Sequence, residues 1–382
     1  MISTLELERR VIEQELCVNC GACAGMCPYW HSVKGRMTHD FDCSREDGRC
    51  VSFCPRMPTD IGALREKFFD TAEVVDEIGP FKGLYMTRSA DPAVRWGSQH
   101  GGTVTTLLML ALQEGFIDAA VAAKSYGGLS PEGVLAATEQ EILECRSSSF
   151  QIPASLAVLN RALGENRYKK IGVVGTPCKT LAVYKMMAKP VPEKDNNAHN
   201  IGLVIGLFCG WGLDWDGLNA LVSRHAAAGS ICRIDIPPSK YHCMTVEGGG
   251  KTVIDLDEVL PLVRQNCRYC TDMTAEFADI SVGGARSSDG WDADKGWNQV
   301  IVRSEKGEEL LRLAREKGAL EFKDVPEGNL DRLSRASQRK KCTGVANITV
   351  RTGNPDNLSY LTPSKALFEK LIESAASGSP AF

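Results

Sequence analysis

A run of cysteines near the amino terminus carries the strongest chemical signal in the sequence. The run has the spacing C-x2-C-x2-C-x3-C-P and consists of Cys17, Cys20, Cys23 and Cys27, followed by Pro28. Thiolates at this spacing let one short loop wrap several corners of an iron–sulfur cubane. Gly21 allows the backbone to approach the cluster closely, and Pro28 turns the chain away from it. The run therefore predicts a [4Fe–4S] site.

A second, incomplete run follows, because Cys50, Cys54 and Pro55 repeat the C-x3-C-P ending. In two-cluster ferredoxins the fourth cysteine of each run ligates the other cluster. The first cubane would then use Cys17, Cys20, Cys23 and Cys54, and a second would use Cys27, Cys43 and Cys50. The second set is one thiolate short, because Asp47 stands where the middle cysteine is expected and Cys43 lies one residue early. Asp47, His39 or a distant cysteine could be the fourth ligand, and a module with a single cluster remains the alternative.

A further set of four cysteines is spread over the larger part of the chain. Cys178 and Cys209 each follow an apolar, strand-like run, and Cys267 and Cys270 form a C-x2-C pair. Four thiolates suit either a cubane or zinc. The ferredoxin-like run on the same chain favours a [4Fe–4S] cluster. The remaining cysteines have no partner at ligand spacing and are predicted to be buried as small apolar residues: Cys145, Cys232, Cys243 and Cys342.

Two polar loops are candidates for binding phosphate. Gly101, Gly102, Thr103, Val104 and Thr105 open an amphipathic helix predicted over 103–114, where free backbone N–H groups could face an anion. Taken alone, a Gly-Gly pair before a helix is more often an ordinary turn. A second hydroxyl cluster, Ser147, Ser148 and Ser149, follows a helix predicted over 139–145 and could contact a phosphate or cap the next segment.

Composition limits the class of protein that can present these residues. The chain has 382 residues, 43% apolar and 24% charged, which indicates folded domains with sizeable cores. Fifteen cysteines without a basic leader and apolar stretch at the amino terminus predict a reducing, cytoplasmic setting. The net charge of -4 argues against nucleic acid as a partner, and no apolar run is long enough for a direct membrane span.

The pattern of elements predicts an α+β protein in two parts. An iron–sulfur module over 1–78 would end in a connector helix over 61–78, before Gly79 and Pro80. From Phe81 onward, apolar strand-like runs alternate with helical patterns, which is typical of an α/β domain and is predicted to extend over 79–345. The segment 346–382 would be a tail with a short helix over 364–374.

Several of these motifs together resemble the beta-subunit family of coenzyme F(420)-reducing hydrogenases and dehydrogenases. The resemblance covers about residues 80–345 and rests on the glycine loop at 101–105, Gly-Thr-Pro-Cys at 175–178, Phe-Cys at 208–209, Cys-Arg-Tyr-Cys-Thr-Asp at 267–272, Ala-Asp-Ile-Ser at 278–281 and the segment 290–303. The family also contains the 7-hydroxymethyl chlorophyll a reductases, and many members carry a ferredoxin-like extension.

The resemblance implies that the larger domain binds FAD and a [4Fe–4S] cluster. The cluster ligands would be Cys178, Cys209, Cys267 and Cys270. The flavin contacts would be Gly101, Gly102, Thr103, Val104, Thr105, Ser147, Ser148, Ser149, Asp279, Ser281 and Gly283. No catalytic residue is assigned.

The implied activity is conversion between single electrons on the clusters and hydride transfer at FAD, to or from coenzyme F(420). Arg286, Arg268 and Lys295 are candidates to face an anionic carrier, and no G-x-G-x-x-G motif follows a strand to indicate a dinucleotide fold. The alternative is an electron-relay subunit of a larger hydrogenase, formate dehydrogenase or heterodisulfide reductase-type complex. Expected partners are other redox subunits and a soluble hydride carrier or ferredoxin.

Overall fold

The computed structural model describes residues 2–70, 73–126, 129–188, 196–226, 231–237, 241–354, 357–361 and 369. The strands are β1 (Trp30–Val33), β2 (Arg36–His39), β3 (Val74–Val75), β4 (Gly79–Pro80), β5 (Gly83–Ser89), β6 (Ala119–Tyr126), β7 (Leu129–Ala136), β8 (Ile171–Gly175), β9 (Ile201–Leu207), β10 (Arg233–Asp235), β11 (Cys243–Gly248), β12 (Gly250–Asp255), β13 (Ile280–Gly284), β14 (Asn298–Val302) and β15 (Leu320–Lys323).

The helices connect these strands and cover the sheet. They are α1 (Ser3–Leu7), α2 (Arg49–Phe53), α3 (Ile61–Phe68), α4 (Pro92–Gly97), α5 (Thr103–Gln113), α6 (Glu139–Glu144), α7 (Ser155–Glu165), α8 (Pro177–Ala188), α9 (Trp215–His225), α10 (Leu256–Val259), α11 (Gln265–Arg268), α12 (Trp291–Asp294), α13 (Glu305–Glu316) and α14 (Asn329–Thr352). A π-helical turn, Glu8–Ile12, continues α1.

An eight-stranded sheet with the order β15-β5-β14-β13-β9-β8-β6-β7 forms the centre of the molecule. Its inner strands β13, β9, β8 and β6 run parallel, and antiparallel strands flank them on both sides. The parallel strands are short apolar runs, as strands covered on both faces usually are. Because these four strands run parallel, their carboxyl ends meet at one edge of the sheet, where α/β proteins commonly bind ligands.

Helices pack on both faces of this sheet. Helices α5 and α13 contribute leucines and alanines to the apolar core on one face. Helices α7 and α8 form the core on the other face, and side chains of the iron–sulfur module, including Val18 and Phe53, join this same core. The module therefore shares a core with the large sheet, and the division at residue 78 stays a prediction.

Smaller sheets lie around the central one. Strands β1 and β2 pair as an antiparallel hairpin within the amino-terminal module. Strands β10, β11 and β12 form an antiparallel sheet whose apolar face packs with α9 and α10. The described part of the chain contains no helix long and apolar enough to cross a membrane.

One expectation about local structure differs from what is observed, and two others stay predictions. The connector helix ends at Phe68, because Val74 and Val75 pair with Gly79 and Pro80 as a short hairpin. Helix α14 runs through the boundary predicted at residue 345. All of the helix predicted over 364–374 except residue 369 falls outside the described residues.

The prediction that four cysteines are buried is wrong. Cys232 is exposed, and the other three are partly exposed: Cys145, Cys243 and Cys342. Cys232 precedes β10, and Cys243 begins the neighbouring strand of that small sheet, so both lie near the ends of its strands. A small sheet gives its strand ends too little cover to bury them.

Candidate functional site

The first group of thiols lies around a small cavity in the amino-terminal module. Four cysteines line this cavity, which Leu7, Val11 and Met37 also border: Cys17, Cys20, Cys23 and Cys54. Burial raises the pKa of the Cys23 thiol, and the neighbouring Cys20, Cys17 and Cys54 raise it further. Mutual repulsion between the buried thiolates causes this further rise, and it is relieved when a cationic iron core binds them. The residues therefore fit a [4Fe–4S] cluster.

The loop that carries these thiols takes an unusual backbone path. Gly21 has a φ of +86°, and a Cβ added there would lie 2.6 Å from the carbonyl oxygen of Ala154. The loop is fixed on helix α7, because Leu156 N–H donates to the Cys20 carbonyl over 3.0 Å. Asn160 Nδ2 donates to the Ala24 carbonyl over 2.6 Å. Backbone N–H groups also point at sulfur, as from Asn19 to Cys17 Sγ at 3.4 Å.

The second group of thiols is nearer to the surface. Burial raises the pKa of Cys50 to about 12, and the nearby Cys43 and Cys27 contribute to this rise. Cys50 is 6% exposed, and Cys43 and Cys27 are partly exposed. The three predicted thiols of this set are therefore neighbours, and the Asp47 carboxylate lies on the exposed loop beside them with 73% of its side chain exposed. The imidazole of His39 instead faces the carboxylates of Glu8 and Asp42.

The third group lies where the large sheet meets helices α11 and α14. Burial raises the pKa of the Cys209 thiol, and Cys267, Cys178 and Cys270 raise it further despite the positive charge of Lys340. Gly212 N–H donates to Cys267 Sγ over 3.2 Å. Cys178 and Cys209 come directly after β8 and β9, so the carboxyl edge of the sheet brings them together. These four thiols fit a cubane built from separate loops.

Two cations on other elements face this third group. Lys340 on α14 donates from Nζ to the Cys209 carbonyl over 2.6 Å. Burial alone would raise the pKa of the Cys270 thiol, but Lys340 and Arg56 outweigh burial and lower it. Sequence reasoning missed both residues, because only the fold places them beside the cysteines. Their charges favour a thiolate cluster with net negative charge.

Lys179 lies between the first and third groups. It is 4% exposed, and burial lowers its pKa to about 8, although Cys178, Cys20 and Cys209 oppose this shift. One buried ammonium group thus faces thiols of both groups. Cys178 also raises the pKa of the Cys20 thiol, so the two thiol groups are neighbours.

A buried ion-pair network holds the surrounding elements in place. Glu276 pairs with Arg65 of the amino-terminal module and with Lys341 of helix α14. Burial opposes ionisation of Glu276, but the two cations lower its pKa to about 2. These residues line a cavity of about 110 Å³ whose wall also includes Cys178 and Cys270. The network therefore ties three parts of the chain together beside the third group.

The glycine loop lies at the same carboxyl edge of the sheet. Gly102 has a φ of +77° and precedes helix α5, and Thr103 N–H donates to Asn298 Oδ1 over 3.2 Å. The Thr103 side chain is fully buried, and its hydroxyl is hydrogen-bonded to that of Thr87. Thr105 is 8% exposed and Val104 is partly buried. A Cβ added at Gly101 would lie 2.8 Å from Asn298 Oδ1. The close side-chain contacts at Gly101 and the positive φ of Gly102 thus favour glycine at both positions.

A short chain of contacts joins this loop to the third thiol group. A Cβ added at Gly283 would lie 2.2 Å from Phe208, which precedes Cys209. A Cβ added at Gly284 would lie 2.6 Å from Nε2 of His100, which precedes Gly101. The predicted flavin loop and the predicted inner cluster are therefore close neighbours across the ends of β9 and β13.

The residue that precedes the serine cluster contacts the end of helix α4, which leads to the glycine loop. This residue, Arg146, lies against Gly97, where an added Cβ would be 2.4 Å from Nε. Ser147 has a φ of +79°, and Ser148 and Ser149 are partly exposed. Ser149 Oγ accepts from Gln151 N–H over 3.3 Å, which is the capping role left open by the sequence. An arginine beside a left-handed serine suits a phosphate.

Two predicted flavin contacts lie at the other end of β13. Asp279 accepts from Val204 N–H over 2.8 Å and from Ser304 Oγ over 2.6 Å. Ser281 is fully buried and accepts from Arg303 Nε over 2.7 Å. Both side chains are thus engaged in the core, and the structure does not bring them to the glycine loop. Their contact with flavin stays a prediction.

Residues of the small sheet complete the surroundings of the glycine loop. Gln99 Nε2 donates to Asp235 Oδ1 and Arg233 donates to the Gln99 carbonyl, each over 2.7 Å. Burial lowers the pKa of His100. The positive charges of Arg286 and Arg233 lower it further, whereas the negative charge of Asp235 raises it. Sequence reasoning missed His100, Arg233 and Asp235 as a group, because β10 is distant in sequence.

The other two basic candidates lie elsewhere. Lys295 is exposed and pairs with Asp292 at 3.6 Å, and Arg268 lies on α11, where its carbonyl accepts from Asn347 of α14. Of the three basic residues proposed from the sequence, only Arg286 is placed by the structure beside the glycine loop.

Comparisons with known proteins agree with this arrangement. The family described as "Coenzyme F420 hydrogenase/dehydrogenase, beta subunit" matches in two parts. Its amino-terminal part matches residues 84–160, and its carboxyl-terminal part matches residues 168–328. The "4Fe-4S binding domain" matches residues 10–29.

Individual relatives extend the comparison. Coenzyme F420 hydrogenase subunit beta of Methanosarcina barkeri is 30% identical over 68% of this chain and 90% of the relative. The coenzyme F420-dependent sulfite reductase of Methanocaldococcus jannaschii is 27% identical over 92% of this chain and 53% of that protein. A chain in a solved structure of the F420-reducing [NiFe] hydrogenase complex of Methanosarcina barkeri superposes with a TM-score of 0.66 at 26% identity, over 73% of this chain and 95% of that one.

Proposed function

Because the chain belongs to the coenzyme F420 hydrogenase/dehydrogenase beta-subunit family, we propose that it is an iron–sulfur flavoprotein subunit that uses coenzyme F420. It would interconvert single electrons and hydride. The observation that carries the proposal is the contact chain from Cys209 through Phe208 and Gly283 to the glycine loop. This chain of contacts puts the candidate cluster and the candidate flavin loop side by side.

The clusters would be held by the two complete thiol groups described above. The first comprises Cys17, Cys20, Cys23 and Cys54, and the third comprises Cys178, Cys209, Cys267 and Cys270. Lys179 faces both groups, and its positive charge would stabilise the reduced form of either cluster. Backbone N–H groups and these cations would set the potentials.

FAD would be held by the glycine loop and the serine cluster, with Arg146 beside the latter. When bound, FAD exchanges two electrons as hydride with a soluble carrier and single electrons with iron–sulfur clusters. Arg146 would bind phosphate oxygens, and Gly101 and Gly102 would let the backbone come close. Arg233 and Arg286 would orient an anionic carrier. His100, whose pKa both arginines lower, would hold or release a proton.

The chain would act together with other redox subunits. Its relatives include proteins named as subunits of coenzyme F420 hydrogenase and of an F420H2 dehydrogenase. The amino-terminal module, whose second thiol group is partly exposed, is the side on which a partner would exchange electrons.

The proposal is tested by reducing the reconstituted, FAD-loaded chain anaerobically. Reduced coenzyme F420, NADH and NADPH are offered separately, and flavin absorbance is followed. Reduced F420 is expected to bleach the flavin fastest. A chain that retains no FAD after reconstitution, or that NADH bleaches faster than reduced F420, would contradict the proposal.

A further inference from the structure

The second half-repeat of the amino-terminal module keeps the framework of the first but lacks one thiolate. Aligned on their shared endings, the two runs pair Cys54 with Cys27, Cys50 with Cys23, Gly48 with Gly21 and Asp47 with Cys20. The glycine and the two later cysteines are kept, so the alignment identifies the missing ligand as the one at Asp47. Cys43 stands one residue before the position equivalent to Cys17.

The three thiols predicted for the second cluster are accompanied by an unsatisfied polar group. Trp30 is 2% exposed, and its indole N–H has no hydrogen-bond partner within the described part of the chain. The same N–H lies close enough to Cys50 to favour its thiolate. An N–H group that faces sulfur is a common neighbour of iron–sulfur clusters. The pocket around Cys50 therefore fits a bound cluster.

The position of the missing ligand faces solvent. The Asp47 side chain is 73% exposed and lies 3.5 Å from Arg45 Nε. Gly48 leaves no room on its inner side, because an added Cβ would lie 2.7 Å from Ser3 Cβ and 3.2 Å from Cys50 Sγ. A carboxylate is also a poorer ligand for iron–sulfur iron than thiolate.

We propose that Cys27, Cys43 and Cys50 bind a cluster whose fourth iron, on the side of Asp47, has no thiolate ligand and can be released to solvent and taken up again. The inference deepens the proposed function, on which it rests for the role of the module as the electron-exchanging side. It assigns to the outermost cluster a reversible conversion between four-iron and three-iron forms.

The conversion balances as follows for a one-electron oxidant such as ferricyanide. [4Fe–4S]2+ yields [3Fe–4S]+, one Fe2+ ion and one electron, which ferricyanide accepts. The bonds that break join the fourth iron to three sulfides and to its oxygen ligand, which is water or Asp47. Ferrous iron and a reductant restore the four-iron form. The other two groups have four thiolates each and would keep all their iron.

The test uses the full chain reconstituted anaerobically, then oxidised with ferricyanide in the presence of a chelator. The wild-type chain is expected to lose about one iron and to gain the EPR signal of a three-iron cluster, at about one spin per chain. Asp47→Cys restores the thiolate and is expected to reduce this signal roughly tenfold. Glu46→Cys, a matched control on the same exposed loop, is expected to keep the signal.

Three outcomes would overturn the proposal: no three-iron signal in the wild-type chain, an unchanged signal in Asp47→Cys, or a signal that survives Cys43→Ser. FAD content and flavin bleaching by reduced F420 are measured on the same samples. These two readouts depend on the large sheet and its loops. If the chain retains no FAD, or if reduced F420 does not bleach the flavin, while the EPR results are as expected, the proposed function is refuted and the three-thiolate site is still supported.

Discussion

Replacement of Lys340 tests how the fold tunes the inner cluster. Its ammonium group lies 2.6 Å from the Cys209 carbonyl, and its pKa is raised because Cys270, Cys209 and Cys267 outweigh the effect of burial. A cation at this place stabilises the reduced, more negative cluster. Lys340→Gln removes the charge while keeping most of the side chain, so the reduction potential is expected to fall.

The size of the fall follows from Coulomb's law. With roughly 6 Å between the charges and an effective dielectric constant of about 20, the interaction is roughly 3 kcal/mol. For a one-electron couple this corresponds to a shift on the order of 100 mV. Lys340→Arg keeps the charge and is expected to shift the potential by less than about a third of that amount.

The assay is a potentiometric titration of the reconstituted chain, with the reduced inner cluster followed by EPR. Iron and sulfide content, measured on each variant, shows that the cluster is intact. A Lys340→Gln potential equal to that of the wild type, or higher, would refute the electrostatic reasoning. An equal fall in Lys340→Arg would assign the effect to lost packing instead.

Three further predictions concern stability, cofactor affinity and packing. The carboxylate of Glu276, with a pKa of about 2 in the folded chain, stabilises the fold at any pH above its unfolded pKa. This contribution of roughly 3 kcal/mol is lost as the pH falls from about 4.5 to 2. The stability of Glu276→Gln against acid unfolding should therefore depend less steeply on pH than that of the wild type, and equal slopes would contradict this. Arg146→Ala should weaken FAD binding about tenfold, by fluorescence titration, with Arg146→Lys in between; unchanged affinity would remove Arg146 from the site. Gly283→Ala places a methyl group 2.2 Å from Phe208. Overpacking of this kind costs about 1–3 kcal/mol and should lower the midpoint of thermal unfolding by several degrees. An unchanged midpoint would show that Phe208 moves freely.

The thiol groups could be anticipated from the sequence because cluster ligands are constrained by local spacing and by strand ends. Cys17, Cys20 and Cys23 lie within one loop, and Cys178 follows the predicted apolar, strand-like run, which forms strand β8 (Ile171–Gly175). The order of the parallel strands then brings Cys209 alongside. Each of these steps depends on residues that are close in the chain or on a general property of α/β sheets.

The electrostatic surroundings could not be anticipated in the same way. Lys340 and Arg56 approach Cys270 from a carboxyl-terminal helix and from the amino-terminal module, and no local pattern marks that approach. The sequence also predicts helix at Val74 and Val75, where the structure has a hairpin, because these apolar residues fit a helical period as well. Tertiary pairing overrides the local pattern there.

The central claim is that electrons from the hydride carrier pass through the flavin to the inner cluster and on to the amino-terminal module. The most direct measurement mixes reduced F420 with the FAD-loaded chain, freezes it at intervals and records flavin absorbance and cluster EPR. In the wild type, the flavin and both complete clusters are expected to become reduced. In Cys209→Ser, with FAD content unchanged, the flavin should be reduced while the cluster of Cys17, Cys20, Cys23 and Cys54 stays oxidised. Reduction of that cluster at the wild-type rate in Cys209→Ser would contradict the account.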